Sequence, residues 1–341
     1  MNSVVIDPVS PEKIDFKTSW VFSKEEDLLI HLFAALALGL LYLLIYFADF
    51  LGSNIEVPLY FVTLIFDAGH VMASYVLGFG TSRLGRLNIV FIPTLMAAVL
   101  IPAFYSYGFE RVFYVYAAIS SIHFARQQYG VLMITLRKGR RLSAWGARLN
   151  SLFFYNMIFA VPVFYLIYET KSFEWIGQKF NYFNSLNPLY FLAGVFGILF
   201  LQILWELREI FVYKILNLGK LFHIAVTIVL WGLIPFFNDG WSKLAFYAIV
   251  LHHAIFYMYF SYRRIENNFE KGSRQFRDRL VAKIGPLKSF ALLVGLTSSF
   301  WLYLYFKYPF AEVTMIIIFY SGCHYVLDTY IWRKGFRDKI I

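Results

Sequence analysis

Four groups of ionisable and amide side chains lie inside stretches that otherwise read as apolar membrane helices. Imidazole and carboxylate groups are metal ligands, and in hydrocarbon both are costly unless they are paired or coordinated. The groups are Asp67 with His70; His123 with Arg126 and Gln127; His252 with His253; and His324 with Asp328. We interpret the four groups as one intramembrane metal site.

The spacing within the groups supports convergence on one centre. Asp67 and His70 are three residues apart, and His324 and Asp328 are four apart. Residues at these spacings share a helix face, and metal sites in helical bundles place their ligands in this way. Successive residues are about 100° apart around a helix, so one of the two adjacent histidines should face the centre. Of this pair we favour His252.

The numbers of ligands favour a mononuclear metal site. Its expected ligands are His70, His123, His252 or His253, and His324. Asp67 and Asp328 would either bind the ion or orient the imidazoles, and their two charges would balance one divalent ion. Gln127 and Arg126 would hydrogen-bond oxygen-derived or substrate groups. Imidazole and carboxylate ligands suit iron best here, with zinc or copper as alternatives.

Ten apolar segments are each long enough to cross a bilayer as a helix. They are residues 27–49, 57–79, 88–107, 110–136, 149–168, 188–212, 220–237, 242–262, 286–306 and 309–332. The sequence therefore predicts an all-α, polytopic membrane bundle formed by a single domain, 27–333. Residues 1–26 and 334–341 would be cytoplasmic, and the basic connection 263–283 is either a plain loop or an amphipathic helix along the headgroups.

The distribution of positive charge orients this bundle. Of the 31 lysines and arginines, 25 lie in or beside alternate connections, five lie in or beside the others, and Arg126 is inside a span. The positive-inside rule then places both termini in the cytoplasm. It also accounts for the net charge of +10 without a nucleic-acid partner. With this orientation His70, His123, His252 and His324 fall in one layer roughly 8 Å thick, just cytoplasmic of the midplane.

Composition sets further limits. Hydrophobic residues make up 60% of the 341 residues and charged residues 15%, as expected of a membrane protein. The single cysteine, Cys323, excludes a disulfide scaffold and a cysteine-rich metal site. Two histidines, His31 and His223, lie nearer the cytoplasmic ends of their spans; they either pack in the core or form a second, shallower site.

Two segments resemble the bacteriorhodopsin-related membrane carotene dioxygenases, and more broadly other histidine-rich polytopic membrane oxygenases. The segment from Ile122 to Gln127 is similar to that family's "HFG" segment, with Ala125 in place of the glycine, and the segment from His252 to Tyr257 is similar to its later histidine-bearing helix. The resemblance implies one iron held by intramembrane histidines, and dioxygen chemistry.

The sequence thus predicts a metalloenzyme of the inner (cytoplasmic) membrane, a non-haem iron oxidoreductase or oxygenase acting on a hydrophobic small molecule. Membrane lipid would surround it. Two other classes use the same residues: a proton- or ion-coupled transporter with a polar relay, and a haem-binding electron carrier. A zinc centre hydrolysing a substrate within the membrane also fits the residue types.

Overall fold

The structure is a computed structural model, and it is almost entirely helical where it describes the chain. It describes residues 20–21, 23–32, 36, 43, 66–73, 75, 85–138, 143–160, 173–175, 178–180, 188–233, 239–270, 283–308 and 310–338. The predicted all-α class is confirmed at this level. Much of the first two predicted spans, most of the N-terminal segment 1–26 and the greater part of the connection 263–283 lie outside the described residues.

The helices fall where the sequence predicts spans. They are α1 (24–32), α2 (66–73), α3 (Gly85–Lys138), α4 (Ala144–Tyr155, continued by a π-helical turn, Asn156–Ala160), α5 (Pro188–Phe211), α6 (Leu218–Thr227, continued by the π-helical Ile228–Leu233), α7 (Asp239–Glu270), α8 (Pro286–Lys307) and α9 (Phe310–Asp338). Every predicted span from 88–107 onward contains part of at least one of them.

A single glycine divides the longest helix, α3. Gly108 has φ 77° and ψ 165°, a backbone conformation that is essentially restricted to glycine. The break separates the stretches predicted as the spans 88–107 and 110–136. The predicted boundary is therefore confirmed, although the two stretches follow one another directly.

Side-chain caps fix other helix starts. The Ser143 hydroxyl accepts a hydrogen bond of 2.8 Å from the backbone N–H of Gly146 at the start of α4, and the Asn217 side chain accepts one of 2.9 Å from Lys220 N–H at the start of α6. These bonds satisfy N–H groups that have no partner within a helix. Pro286, whose missing N–H is tolerated in a first turn, begins α8.

A short antiparallel hairpin, which the sequence analysis did not predict, lies between α4 and α5. Strand β1 (Phe173–Trp175) pairs with β2 (Gln178–Phe180), with Phe173 opposite Phe180 and Glu174 opposite Lys179.

The chain divides into two compact units. The first comprises Met1–Leu32 and Ser120–Ala245, and the second comprises Phe33–Ile119 and Phe246–Ile341. In the first, buried Lys220 forms ion pairs of 2.7 Å with both Glu206 and Glu209. Because a buried charge is costly alone, this pairing is a condition for burying the lysine.

In the second unit two apolar clusters hold α2 to its neighbours. One brings Val71 and Tyr75 together with Cys323 and Leu327 of α9. The other packs Ala68 of α2 against Trp301, Leu304 and Val313 of α8 and α9. At Gly69 a Cβ would lie 2.9 Å from the Met258 sulfur of α7, so the absence of a side chain permits the close approach of α2 and α7.

One described helix is long and apolar enough to cross a membrane by length and composition, the stretch Phe91–Gly108, of which 6% is buried. Shorter apolar stretches occupy Leu218–Trp231, Val294–Leu304 and Met315–Asp328. The described structure therefore supports a helical protein with at least one candidate span, and the ten-span bundle stays a prediction.

Candidate metal centre

Three of the predicted histidines meet in the second unit, each carried by a different helix. The His70 ring of α2 lies between the ring of His253 on α7 and that of His324 on α9, with centroid separations of 4.5 and 4.4 Å. All three side chains are buried, with 1%, 1% and 0% exposure respectively. The prediction that imidazoles from separate helices converge is confirmed for these three residues.

Each of the two predicted aspartates lies beside the histidine with which it was paired. The Oδ1 atom of Asp67 is 3.5 Å from Nδ1 of His70, and Oδ1 of Asp328 is 3.6 Å from Nδ1 of His324. These separations are longer than ordinary hydrogen bonds but within ion-pair range. Asp328 is buried, whereas the Asp67 side chain is 28% exposed. Asp328 is thus the better candidate for a ligand, and Asp67 for an orienting carboxylate.

A tyrosine that the sequence analysis did not assign completes the cluster. Tyr257 is fully buried, its ring lies 4.8 Å from the His70 ring, and its hydroxyl donates a 2.5 Å hydrogen bond to Oδ1 of Asp328. It lies one turn after His253 on α7, four residues along the chain. This spacing could have indicated Tyr257 from the sequence, since residues at i and i+4 share a helix face.

The donor atoms of this cluster are close enough for one ion. A ligand atom from each of His70, His324 and Asp328 lies within 4.8 Å of the others. With bonds of about 2.0–2.2 Å to nitrogen and oxygen, two ligands of the same ion lie at most about 4.4 Å apart, so small side-chain rotations would close the set. The group could therefore hold a metal ion, and its donors suit iron, zinc or copper.

One of the two adjacent histidines on α7 lies against the His70 ring. The sequence favours His252 as the ligand, whereas the ring that packs on His70 is that of His253. His252 is equally buried, at 1% exposure. The two positions differ by rotation about the helix axis, and the residues on both sides of the pair are apolar, so the sequence does not show which ring faces His70.

The residues predicted on α3 divide between buried and exposed positions in the first unit. His123 and Gln127 are buried, at 8% and 4% exposure, as expected for residues one turn apart. Arg126 is exposed, which argues against its predicted hydrogen bonds in a buried centre. Among the described residues neither the amide nitrogen nor the amide oxygen of Gln127 has a hydrogen-bond partner. Buried amide groups rarely lack hydrogen bonds, and a bound ligand could supply the partners of the Gln127 amide.

The two shallow histidines pack with aromatic residues of the first unit. The rings of His31 and His223 are 5.6 Å apart, and His31 also contacts Phe222 edge-on at 5.2 Å. His223 stacks on Phe154 at 5.3 Å, with its Nε2 3.2 Å from the carbonyl oxygen of Gln128. Ring packing and this hydrogen bond account for His31 and His223 as core residues.

Comparison of the chain with family models, curated proteins and solved structures gives no match in any of the three. The fold and the site define a helical protein with a buried group of potential metal ligands. The resemblance of the His123 and His252 segments to membrane carotene dioxygenases stays an expectation from sequence.

Proposed function

We propose that this protein is a membrane metalloenzyme, a non-haem iron oxidoreductase or oxygenase that acts on a lipid-soluble substrate. One observation carries the proposal: His70, His324 and Asp328 are all buried, and their ligand atoms lie within 4.8 Å of one another. Two imidazoles and one carboxylate form the donor set typical of iron sites that activate dioxygen at open coordination positions.

The neighbouring groups would prepare these ligands. Asp67 beside Nδ1 of His70 favours the tautomer that carries its proton there, which presents Nε2 to an ion. Tyr257 donates to Oδ1 of Asp328 and so would direct Oδ2 toward the same point. His253, in ring contact with His70, would supply either a further ligand or a wall that holds the His70 ring in place.

We further propose His123 as an additional ligand, with Gln127 as a hydrogen-bonding group beside it. The sequence places His123 and Gln127 one turn apart on the same helix face, and the buried Gln127 amide lacks a partner among the described residues. A bound oxygen species or substrate carbonyl would accept from its nitrogen. The exposed Arg126 has no part in this proposal.

A membrane location is supported by the apolar surface of the helices. Large apolar side chains are exposed along α3, with Phe91 at 59%, Val99 at 56% and Ile101 at 55%, and along α8, with Leu296 at 63%. Exposed apolar surface of this extent is unfavourable in water and favourable in lipid. Together with the charge asymmetry of the connections, it favours ten spans in the cytoplasmic membrane with both termini inside.

The deciding experiment is elemental analysis of the detergent-purified protein with an optical spectrum beside it. We expect close to one iron per chain and no Soret band. His70→Gln, His324→Gln and Asp328→Asn should each lose the metal, because each removes a donor that the others cannot replace. His31→Phe is the matched control: it replaces a buried histidine outside the cluster by a ring that can keep the Phe222 contact, and it should keep the metal.

Other outcomes would point to the other classes. A Soret band that disappears in His70→Gln would indicate a haem-binding electron carrier. Metal-free protein whose vesicles show gradient-dependent flux would indicate a transporter with a polar relay. Zinc in place of iron would keep the site and change its chemistry to hydrolysis.

A further inference from the structure

Two arginines at the surface of the first unit each lie on an aromatic ring. The guanidinium carbon of Arg148, on α4, is 5.5 Å from the centre of the Trp145 ring, and that of Arg208, on α5, is 5.5 Å from the centre of the Trp205 ring. Both arginines and Trp145 are exposed. A cation within about 6 Å of an aromatic ring is attracted to its face, so each guanidinium is held in place while it remains accessible.

A glycine allows the two helices that carry these pairs to touch. Gly146 lies between Trp145 and Arg148 in sequence, and a Cβ at Gly146 would be 3.0 Å from Cζ2 of Trp205. Because there is no side chain at this position, the indole ring lies directly against α4. Both arginines are therefore within three residues of one contact between α4 and α5. We call Trp145, Arg148, Trp205 and Arg208 the arginine–tryptophan surface.

The acidic residues of α5 are bound below this surface. One carboxylate oxygen of Glu209 accepts a 3.0 Å hydrogen bond from the indole N–H of Trp205, and the other is 2.7 Å from Nζ of buried Lys220. Glu206 is also 2.7 Å from that Nζ. The two carboxylates therefore pair with an internal cation, and one of them fixes the ring on which Arg208 lies.

The turn after α5 adds a second ring and a further cation. The guanidinium carbon of Arg208 is 5.2 Å from the centre of the Tyr213 ring. Lys214, which is exposed, follows with φ 54°, a left-handed conformation that turns the backbone. Two carboxylates thus stand against four cations in this region, Glu206 and Glu209 against Arg148, Arg208, Lys214 and Lys220. These six side chains carry an excess of two positive charges.

Exposed apolar side chains lie beside the arginines on α5. Leu204, Leu207 and Phe211 are 44%, 42% and 65% exposed, and all three are within about one turn of Arg208. A phosphate dissolved in water would gain nothing from this apolar surface, whereas acyl chains would cover it. The surface therefore complements a molecule with an anionic head and an apolar tail.

We propose that the arginine–tryptophan surface binds the phosphodiester headgroup of an anionic phospholipid, with the acyl chains along the exposed apolar side chains of α5. Arg148 and Arg208 donate to the phosphate oxygens, for which the guanidinium group has matching charge and geometry. Trp145 lies at the level of the headgroups, as tryptophans at membrane interfaces do. The inference goes beyond the proposed chemistry and rests on the proposed function only for the membrane location.

Photo-crosslinking from a single position tests the proposal. Val212, which is 65% exposed and precedes Tyr213, is replaced by p-benzoyl-phenylalanine. The full-length protein is reconstituted in nanodiscs with equal amounts of dioleoyl phosphatidylglycerol and dioleoyl phosphatidylcholine, and the lipid adducts are counted by mass spectrometry. These two lipids share their acyl chains and differ in headgroup charge. A basic side chain near an anionic lipid contributes about 1 kcal/mol, or about fivefold, so with two arginines we expect about 25-fold more phosphatidylglycerol adduct.

Variants assign this preference to the arginines. Arg148→Gln and Arg208→Gln should each lower the adduct ratio about fivefold, and the double variant should bring it close to one. Arg208→Lys keeps the charge and should retain most of the preference. Lys307→Gln is the matched control, because it removes a cation that lies 5.4 Å from the Tyr303 ring in the second unit, and it should behave as the parent protein.

A second crosslinking position and a soluble competitor complete the design. With p-benzoyl-phenylalanine in place of Leu296, an exposed apolar residue of α8, the two lipids should be labelled almost equally. Excess inorganic phosphate should leave the ratio at position 212 unchanged, because it cannot cover the apolar surface.

Equal labelling of both lipids at position 212, or a preference that survives in the double variant, would overturn the proposal. So would a loss in Arg208→Lys as large as in Arg208→Gln, which would assign the effect to packing, and so would displacement by inorganic phosphate, which would make free phosphate the ligand. The preference in a protein that never binds iron would support this lipid site while refuting the proposed metal centre. Iron binding with equal labelling would refute the lipid site alone.

Discussion

Tyr257 links the aromatic and carboxylate parts of the candidate centre. Its ring packs on His70 and lies 5.9 Å from that of His324, while its hydroxyl holds Asp328. A group that hydrogen-bonds a metal ligand fixes the ligand's orientation, and its removal typically weakens metal binding 10- to 100-fold. In the proposed metal centre, the tyrosine would therefore act through Asp328 as a positioning residue.

Replacing Tyr257 by phenylalanine tests this role at the scale of one atom. We expect Tyr257→Phe to keep the ring contacts and the fold but to weaken metal binding about 10- to 100-fold. The measurement is competition for iron against a chelator of known affinity. Tyr262→Phe on the same helix removes a hydroxyl that donates to Glu266, and this control should bind iron as the parent protein does. Equal affinity in both variants would contradict the role.

The sequence could predict contacts between residues of one helix, but not how that helix is rotated against its neighbours. The pairs Asp67 with His70 and His324 with Asp328 were predicted correctly because their spacing fixes a shared face whatever surrounds the helix. The choice between His252 and His253 was not fixed, because it needs the rotation of α7 against its neighbours. That rotation depends on packing between helices, to which sequence spacing gives no access.

At the scale of elements, the break in α3 depends on Gly108. Its φ of 77° would strain any residue with a side chain, although no atom of the described residues lies within 4 Å of the position that a Cβ would take. We expect Gly108→Ala to lower the free energy of unfolding by about 1–3 kcal/mol through backbone strain alone. Thermal unfolding in detergent, followed by circular dichroism, would measure the loss.

The matched control for this variant is Gly194→Ala. Gly194 lies inside helix α5, and a Cβ there would also meet open space. Alanine in a helix interior is favoured over glycine by roughly 0.5–1 kcal/mol, so this variant should be slightly more stable. Destabilisation of both variants to the same extent would mean that side-chain volume, not the backbone conformation of Gly108, is the cause.

The elements were predicted best where apolar length alone decides them. The predicted spans 188–212 and 286–306 match the helices Pro188–Phe211 and Pro286–Lys307 closely, since a proline starts each helix and a long apolar stretch follows that proline. The hairpin at residues 173–180 was not predicted; Phe173 and Trp175 on alternate positions and the glycine at Gly177 were the available signals. A period of two over three residues is too short to stand out beside the long apolar stretches that flank it.

At the scale of the whole molecule, charge and exposed apolar surface must be explained together. The lysines and arginines concentrate in alternate connections, while apolar side chains such as Leu296 on α8 are 63% exposed. The proposed membrane location would explain both features, because a bilayer would cover the apolar surface and orient the basic connections toward the cytoplasm.

Cysteine labelling separates exposure to lipid from exposure to water. The only native thiol, Cys323, is buried, and Cys323→Ala provides a background without it.

Leu296 and Arg148 are both exposed on the protein surface, so burial within the protein cannot make their introduced thiols differ. With a membrane-impermeant maleimide, Arg148→Cys should be labelled in inverted vesicles but not in right-side-out vesicles, because the proposed topology places the basic connection 137–148 in the cytoplasm. Leu296→Cys should resist labelling in both kinds of vesicle and react only after denaturation in SDS, since a thiol in hydrocarbon is neither ionised nor reached by the reagent. Labelling of Leu296→Cys as fast as Arg148→Cys would place α8 in water, and the membrane location would then be wrong even if the histidine centre binds its metal.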